Sequence, residues 1–211
     1  LFRSVNDGVK ETFLKRATII KTMRAVLDEA GYTEVETPIL QSIPGGASAR
    51  PFITHHNSLD MDLYLRIATE LYLKRLIVGG FEGVYEIGKN FRNEGMDKNH
   101  NPEFTCMELY VQYKDYNWMM SFTEKLLERI CIAVNGCTET EIDGKTISFK
   151  APYRRLPILE AIKEKTGYDL EGKSEDEIRQ VCKELNMEID DTMGKGKLID
   201  EIFGEFCEGT F

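Results

Sequence analysis

The side chains that could do chemistry are a single arginine, Arg92, and the acidic and phenolic groups of Glu70, Glu108 and Tyr110. A guanidinium fork binds a carboxylate or a phosphate through two parallel hydrogen bonds and neutralises its charge. Two carboxylates and a phenol favour a ligand with two ammonium groups. They disfavour an acidic side chain, because like charges at close range repel each other.

The backbone structure that would position these groups is predicted by the sequence pattern from Val84 to Tyr113. Side chains alternate with a period of two on both sides of a Gly, Asp, Asn and Pro-rich loop at 95–102, which is typical of an antiparallel hairpin. One face would then carry Arg92 and place it near Glu108. The pattern alone leaves a second interpretation open, in which this face is an ordinary hydrated surface.

Two structural alternatives compete with a functional role for the charged residues. Arg92 could form a surface ion pair with Glu94 or Glu86, which is the commoner fate of an arginine on a strand. Glu70 follows Thr69 at the predicted start of a helix, where the helix dipole favours a carboxylate. His55 and His56 are adjacent on a predicted strand and point to opposite sides, so we expect structural roles for them.

The segments FRNEG and HNPEFTCMELY resemble motif 2 of the class II aminoacyl-tRNA synthetases, in the form found in the lysyl enzymes. The helix before Gly31, with Tyr32 and Pro38, resembles motif 1, and the loop IPGGASARPFITHHN also resembles the lysyl family. The resemblance implies an α+β fold, an antiparallel sheet flanked by helices. It predicts a single partial catalytic domain over residues 1–211, with motif 1 at about 13–40, motif 2 at about 84–113 and a helical region at about 157–207.

The resemblance also implies a role for each matching residue. For lysine, it assigns the α-ammonium to Glu70 and the Gly46 backbone, the side-chain ammonium to Glu108 and Tyr110, and the carboxylate to Arg92. Arg92 is the catalytic residue, since in the family it bridges that carboxylate and the α-phosphate. The ATP-binding residues are Arg92, Glu94, His100, Asn101 and Phe104, with adenine stacked on Phe104 and the terminal phosphates at His100.

The family resemblance predicts lysine–tRNA ligase activity, in which ATP activates lysine and the product is passed to the 3′ end of its tRNA. A ligase that attaches lysine to a protein, such as the elongation factor P type, and a non-catalytic dimerisation or regulatory module are the alternatives. Three departures, Thr69, Asn99 and Cys106, remove no ligand. No counterpart of motif 3 or of the anticodon-binding barrel occurs before Phe211, so we expect this piece alone to be inactive and the Mg²⁺ ligands to lie beyond it; no metal site is expected within it.

Composition narrows the class of protein. At 211 residues the chain is expected to form one domain, and no apolar run is long enough to cross a bilayer. No signal peptide is recognisable at Leu1. Five cysteines without a Cys-x-x-Cys pair predict reduced thiols in a cytoplasmic protein. A net charge of −9 argues against a surface devoted to nucleic acid but permits contact with the end of a tRNA.

Hydrophobic periodicity predicts the remaining elements. A helix over 9–30 carries an apolar stripe from Phe13 to Ala30, and the family resemblance makes it, with the strand that follows, the interface of a homodimer. Ile19 and Val26 lie off this stripe, where they either join the core or face a partner. Further helices are predicted at 70–78, 115–134, 159–165, 176–185 and 195–207, with a hairpin around Asp143 and Gly144.

Overall fold

The computed structural model describes residues 6–210, so predictions that name Leu1 or Phe211 lie outside it. The helices are α1 (Asp7–Glu29), α2 (Glu70–Val78), α3 (Tyr116–Asn135), α4 (Ile158–Thr166), α5 (Glu175–Glu184) and α6 (Lys195–Phe206). The strands are β1 (Thr33–Glu34), β2 (Leu40–Gln41), β3 (Ile53–His56), β4 (Met61–Leu65), β5 (Gly83–Phe91), β6 (Glu103–Val111), β7 (Glu139–Ile142) and β8 (Lys145–Ser148).

These elements form two compact units, divided between Pro152 and Tyr153. The boundary falls just before the helical region predicted at 157–207. Each unit has its own buried apolar cluster. Whether the two units behave as the single domain expected from the sequence stays a prediction, because compactness does not measure whether they fold together.

The hairpin at the centre of the first unit is confirmed: β5 and β6 pair antiparallel along their whole length. The register places Glu86 opposite Glu108 and Asn90 opposite Phe104, so these side chains share one face. The intervening positions form the other face, where Tyr85 is fully buried. Period-two alternation therefore predicted both the strands and the face on which the candidate site residues lie.

The register corrects one expectation, that Arg92 stands next to Glu108. The Arg92 amide donates a hydrogen bond to the carbonyl of Pro102, six residues before Glu108 along the strand. At about 3.3 Å per residue this separates the two backbone positions by about 20 Å. The sheet is also mixed and not purely antiparallel, because β1 pairs parallel with β5. The broader expectation of an α+β fold agrees with six helices and small sheets in the described residues.

A second small sheet, in the order β2-β4-β3, leads into the helix that carries Glu70. Helix α2 begins at Glu70 and ends at Val78, as predicted. Thr69 occupies the N-cap position, but its side chain makes no capping hydrogen bond. His55 lies beside Asp60 and Asp62, and His56 accepts a hydrogen bond from the Leu59 amide, which agrees with structural roles for both histidines.

The buried residues of helix α1 lie in its second half, although Arg16 in the first half donates a hydrogen bond to Thr105 of β6. Leu27 and Val26 are buried, so the off-stripe position of Val26 belongs to the core. Phe13, at the start of the predicted stripe, is 64% exposed, and Leu14 is 59% exposed. The expectation of one continuously buried stripe is therefore wrong for the first half of the helix within this chain. Helix α3 completes the cluster through Trp118 and Phe122, among other residues.

The second unit packs α4, α5 and α6 around a buried cluster that includes Ile162, Ile178, Leu198 and Ile202. Helix α5 begins with a capping box, in which Ser174 and Glu177 exchange hydrogen bonds that satisfy the first free amides of the helix. Elsewhere, the β7–β8 turn places Asp143 and Gly144 at positive φ, as a two-residue hairpin requires. No helix among residues 6–210 is both long and apolar enough to span a membrane.

Candidate active site

Four of the predicted lysine-binding residues come together where α2 meets β6, and we call this group (Gly46, Glu70, Glu108 and Tyr110) the acidic pocket. The carboxylate of Glu108 accepts a hydrogen bond from the Thr69 amide at 3.2 Å, which fixes it beside the first turn of α2. The Tyr110 hydroxyl donates to the other oxygen of Glu108 at 3.3 Å. These contacts hold Glu108 and Tyr110 close to the start of the helix that carries Glu70.

Gly46 lies directly against Glu70. A β-carbon at this position would lie 3.1 Å from the Cβ atoms of both Ala68 and Glu70. The φ angle of Gly46 is +89°, a conformation that side-chain-bearing residues rarely adopt. Glycine is therefore favoured here both by its backbone angle and by the limited space, whereas the approach of a ligand to its backbone stays a prediction.

Burial and nearby negative charge together raise the pKa of the Tyr110 phenol in the acidic pocket. Burial raises the pKa of Tyr110 well above its usual value, and the nearby carboxylates of Glu108 and Glu70 raise it further. Tyr110 is therefore a neutral hydrogen-bond donor at physiological pH. Burial also raises the pKa of the Cys106 thiol on the same face, so this thiol is protonated and a poor nucleophile.

The five predicted ATP-binding residues line a single cavity of about 590 Å³ beside the motif 2 loop. They are Arg92, Glu94, His100, Asn101 and Phe104. The volume lies within the range of about 300–1,000 Å³ that is usual for small-molecule sites. The sequence analysis therefore grouped these residues correctly in space, whereas their individual roles toward a nucleotide stay predictions.

Arg92 has no carboxylate partner among the described residues. Its guanidinium carbon lies 5.2 Å from the centre of the Phe104 ring, and its Nε is buried without a hydrogen-bond partner. Glu94 instead accepts a hydrogen bond from the Arg50 amide, and Glu86 pairs with Arg66. The alternative interpretation of Arg92 as one half of a surface ion pair is therefore wrong, and its charge is available to a ligand.

The loop at the mouth of the cavity is shaped by Asp97. Its carboxylate accepts hydrogen bonds from the amides of Asn99 and His100, at 2.7 and 2.8 Å, and lies 2.9 Å from the His100 ring. These contacts lower the pKa of Asp97, with the Asn99 amide as the largest cause. The His100 side chain, 74% exposed, is thereby held at the rim of the cavity, where an anion can reach it.

A buried ion pair beneath this face was missed by the sequence analysis. Arg66 and Glu86 are 2% and 3% exposed, and Nη1 of Arg66 lies 2.5 Å from Oε1 of Glu86. Arg66 also donates to the carbonyl of Lys89, and both partners contact Thr37. The pair joins β5 to the segments before β2 and after β4. Its sequence signal was weak, because the partners are 20 residues apart and each occurs in an ordinary strand pattern.

The chain is similar in sequence to a known protein family. The family model of the class II tRNA synthetases (D, K and N) matches residues 1–192, and the chain belongs to this family. It is similar to proteins named lysine–tRNA ligase: 66% identical over 207 residues to that of Porphyromonas gingivalis and 66% over 208 residues to that of Christiangramia forsetii.

These matches cover 98% and 99% of this chain but 36% and 37% of the relatives. The lysine–tRNA ligase of Azobacteroides pseudotrichonymphae is 62% identical over 204 residues, which is 97% of this chain and 41% of that protein. The chain thus spans little more than a third of the length of the curated relatives it matches.

A metal site does not emerge from the described residues. Between residues 6 and 210, no three His, Cys, Asp or Glu side chains are grouped closely enough to hold a metal ion. In the acidic pocket, Glu108 is instead paired with a phenol and a backbone amide, and Glu70 is paired with the ammonium of Lys74. The described residues therefore do not fit a magnesium site.

Proposed function

We propose that the protein containing this chain activates lysine with ATP and transfers the lysyl group to the 3′ end of its tRNA, as a lysine–tRNA ligase. The observation that carries the proposal is the juxtaposition, on one sheet face, of the acidic pocket and of a cavity lined by an unpaired arginine. The names of the relatives support the same activity.

Recognition of lysine follows from the charges in the acidic pocket. Glu70 and the Gly46 backbone receive the α-ammonium, and Glu108 receives the side-chain ammonium together with Tyr110. Two carboxylates matched to two ammonium groups exclude amino acids with acidic side chains, since a third negative charge would be repelled. The hydrogen bonds from Thr69 and Tyr110 hold Glu108 in place before the ligand arrives, which reduces the entropy lost on binding.

Activation requires a carboxylate to attack the α-phosphate, so two anions must approach each other. Arg92 contacts both, neutralises charge that would otherwise oppose the approach, and aligns the attack. No enzyme nucleophile is needed, because the substrate carboxylate itself forms the new bond to phosphorus while pyrophosphate leaves. The burial of Arg92 Nε without a partner supports this role, since an unsatisfied buried donor gains more from a ligand than a hydrated one does.

The nucleotide occupies the cavity around the motif 2 loop in this proposal. Phe104 stacks on adenine, with the Arg92 guanidinium close to the same ring. Glu94 and Asn101 contact the adenosine part, and His100 at the rim contacts the terminal phosphates. Magnesium would accompany ATP, as the family resemblance implies, and we propose that its ligands lie outside the described residues.

We also propose a homodimer formed through α1 and the strand that follows it, and a cytoplasmic location. Support for the dimer comes from the first half of α1, where Phe13 and Leu14 are mostly exposed on a helix whose second half is core. A Phe13→Glu substitution in the full-length protein is expected to weaken dimerisation, as measured by sedimentation velocity. A full-length protein that is monomeric before substitution would contradict this part of the proposal.

The experiment that tests the function uses the full-length protein with each common amino acid in turn. Lysine-dependent exchange of pyrophosphate into ATP, followed by charging of lysine tRNA, is the expected result. Transfer of lysine to a protein acceptor but not to tRNA would support the elongation factor P type of ligase. Absence of exchange with any amino acid would support a non-catalytic module. No observation on this chain favours either alternative.

A further inference from the structure

A lysine of the protein itself reaches into the acidic pocket. Lys74 lies one helical turn after Glu70 on α2, and its Nζ is 2.5 Å from Oε1 of Glu70. The same ammonium lies 5.9 Å from the centre of the Tyr110 ring. One cation of the chain therefore contacts the carboxylate proposed for the α-ammonium and lies close to the phenol proposed for the side-chain ammonium.

We propose that Lys74 is a positioning residue that acts through Glu70, and that its ammonium competes with the α-ammonium of the ligand for this carboxylate. Lys74 thereby sets how tightly the protein binds amino acids that carry an α-ammonium. This inference rests on the proposed function, in which Glu70 receives that group. Nothing in the lysine-binding scheme above uses Lys74.

Two physical effects act in the same direction. The Lys74 ammonium forms an ion pair with one carboxylate oxygen of Glu70. Because both side chains belong to one helix, this ammonium competes with a ligand at a constant effective concentration. Its positive charge also repels a second ammonium that approaches the same carboxylate. Both effects weaken binding of an α-ammonium. On a ligand that lacks this group only the repulsion acts, and it is weaker there because the remaining ammonium binds near Tyr110, farther from Lys74 than Glu70 is.

The size of the effect is limited by solvent. The Lys74 side chain is 56% exposed and that of Glu70 is 31% exposed, so their attraction is screened. Exposed pairs that lie one helical turn apart change an equilibrium by about twofold. The effect should shrink as salt concentration rises, because screening weakens interactions between exposed charges.

The test measures equilibrium binding to the full-length protein by titration calorimetry, with two ligands. L-lysine carries both ammonium groups, whereas 6-aminohexanoate keeps the carboxylate and the terminal ammonium but lacks the α-ammonium. Lys74→Met is expected to lower the Kd for lysine about twofold and to lower the Kd for 6-aminohexanoate by less. Lys74→Gln should give the same pattern, and Lys74→Arg, which keeps the cation, should leave both values close to wild type.

A matched control is available in the second unit. Lys197 forms a comparable pair with Glu201, also one helical turn away, at 2.6 Å and with 52% of its side chain exposed. Lys197→Met removes a surface cation of the same kind but should change neither Kd. This control separates an effect on Glu70 from a general change in net charge.

The outcomes are distinguishable. If the wild-type protein binds lysine but Lys74→Met and Lys74→Gln leave its Kd unchanged or raise it, the inference about Lys74 is overturned while the proposed function stands. Equal tightening of lysine and 6-aminohexanoate would also overturn it, because a general electrostatic effect would then explain the change. If the wild-type protein does not bind lysine, both the proposed function and the inference about Lys74 are contradicted.

Discussion

Removal of Arg66 should destabilise the first unit far more than removal of an exposed arginine. Arg66 and Glu86 are nearly fully buried and contact each other at 2.5 Å. Taking one partner away from a buried pair leaves an uncompensated charge, at a cost of about 3–5 kcal/mol. For a unit of this size, each kcal/mol shifts the melting temperature by about 2–4 °C, so Arg66→Met should lower it by about 6–20 °C.

Two further variants test whether the effect depends on burial and on the pairing of Arg66 with Glu86. Arg24→Met removes an ion pair with Glu34 in which the side chains are 44% and 37% exposed, so it should cost only about 0.2–1 kcal/mol. In the double variant Arg66→Met/Glu86→Leu no buried charge is left alone. Its melting temperature should therefore lie above that of Arg66→Met and should not fall by the sum of the two single effects.

The assay is thermal unfolding followed by tryptophan fluorescence. Trp118 is the single tryptophan of the chain and packs against the buried cluster of the first unit, so its emission reports on that unit. An Arg66→Met melting temperature no lower than that of Arg24→Met would refute the reasoning. Strictly additive effects of Arg66→Met and Glu86→Leu would refute it as well, since the two side chains would then act independently.

Other predictions concern two tyrosines and a glycine. The hydroxyl of Tyr32 is buried without a partner, whereas that of Tyr85 donates to Asp28 and Glu34, so Tyr32→Phe should raise the melting temperature by about 2–6 °C and Tyr85→Phe should lower it by about 5–10 °C; equal effects would contradict this. Burial raises the pKa of Tyr32 from 10.0 to about 12 in the folded protein. The contribution of this residue to the free energy of unfolding is therefore fully present below pH 10 and is lost as the pH rises toward 12. Tyr32→Phe should remove this pH dependence from an alkaline unfolding profile. Gly46→Ala should raise the lysine KM about tenfold in pyrophosphate exchange, because its positive φ and tight contacts with Glu70 oppose a side chain. The control Gly136→Ala, at a position with a similar positive φ but open space, should not, and a common effect of both would count against a role for Gly46.

The parts of the fold that were predictable from sequence are those set by local chemistry. The hairpin followed from a period of two around a Gly- and Pro-containing loop, and the Asp143–Gly144 turn followed from residues that tolerate positive φ. The start of α2 at Glu70 followed from the change from strand to helix periodicity. In each case the residues that determine the element are neighbours in the chain.

What could not be predicted depends on contacts between distant segments. The pairing of Arg66 with Glu86 requires knowledge of how the end of β4 crosses β5, which no local pattern contains. The exposure of Phe13 depends on where the hairpin ends beneath α1, and the separation of Arg92 from Glu108 depends on strand register. The residues predicted to bind ATP line one cavity because the family motif is contiguous and its loop folds back on itself.

The most direct test of the central claim is a crystal structure of the full-length protein with lysine bound. We predict that the side-chain ammonium of lysine contacts the Glu108 carboxylate and the Tyr110 hydroxyl, that its α-ammonium contacts Glu70, and that its carboxylate points toward Arg92. Lysine bound in the reverse direction, or at a site that does not include Glu108, would contradict the account.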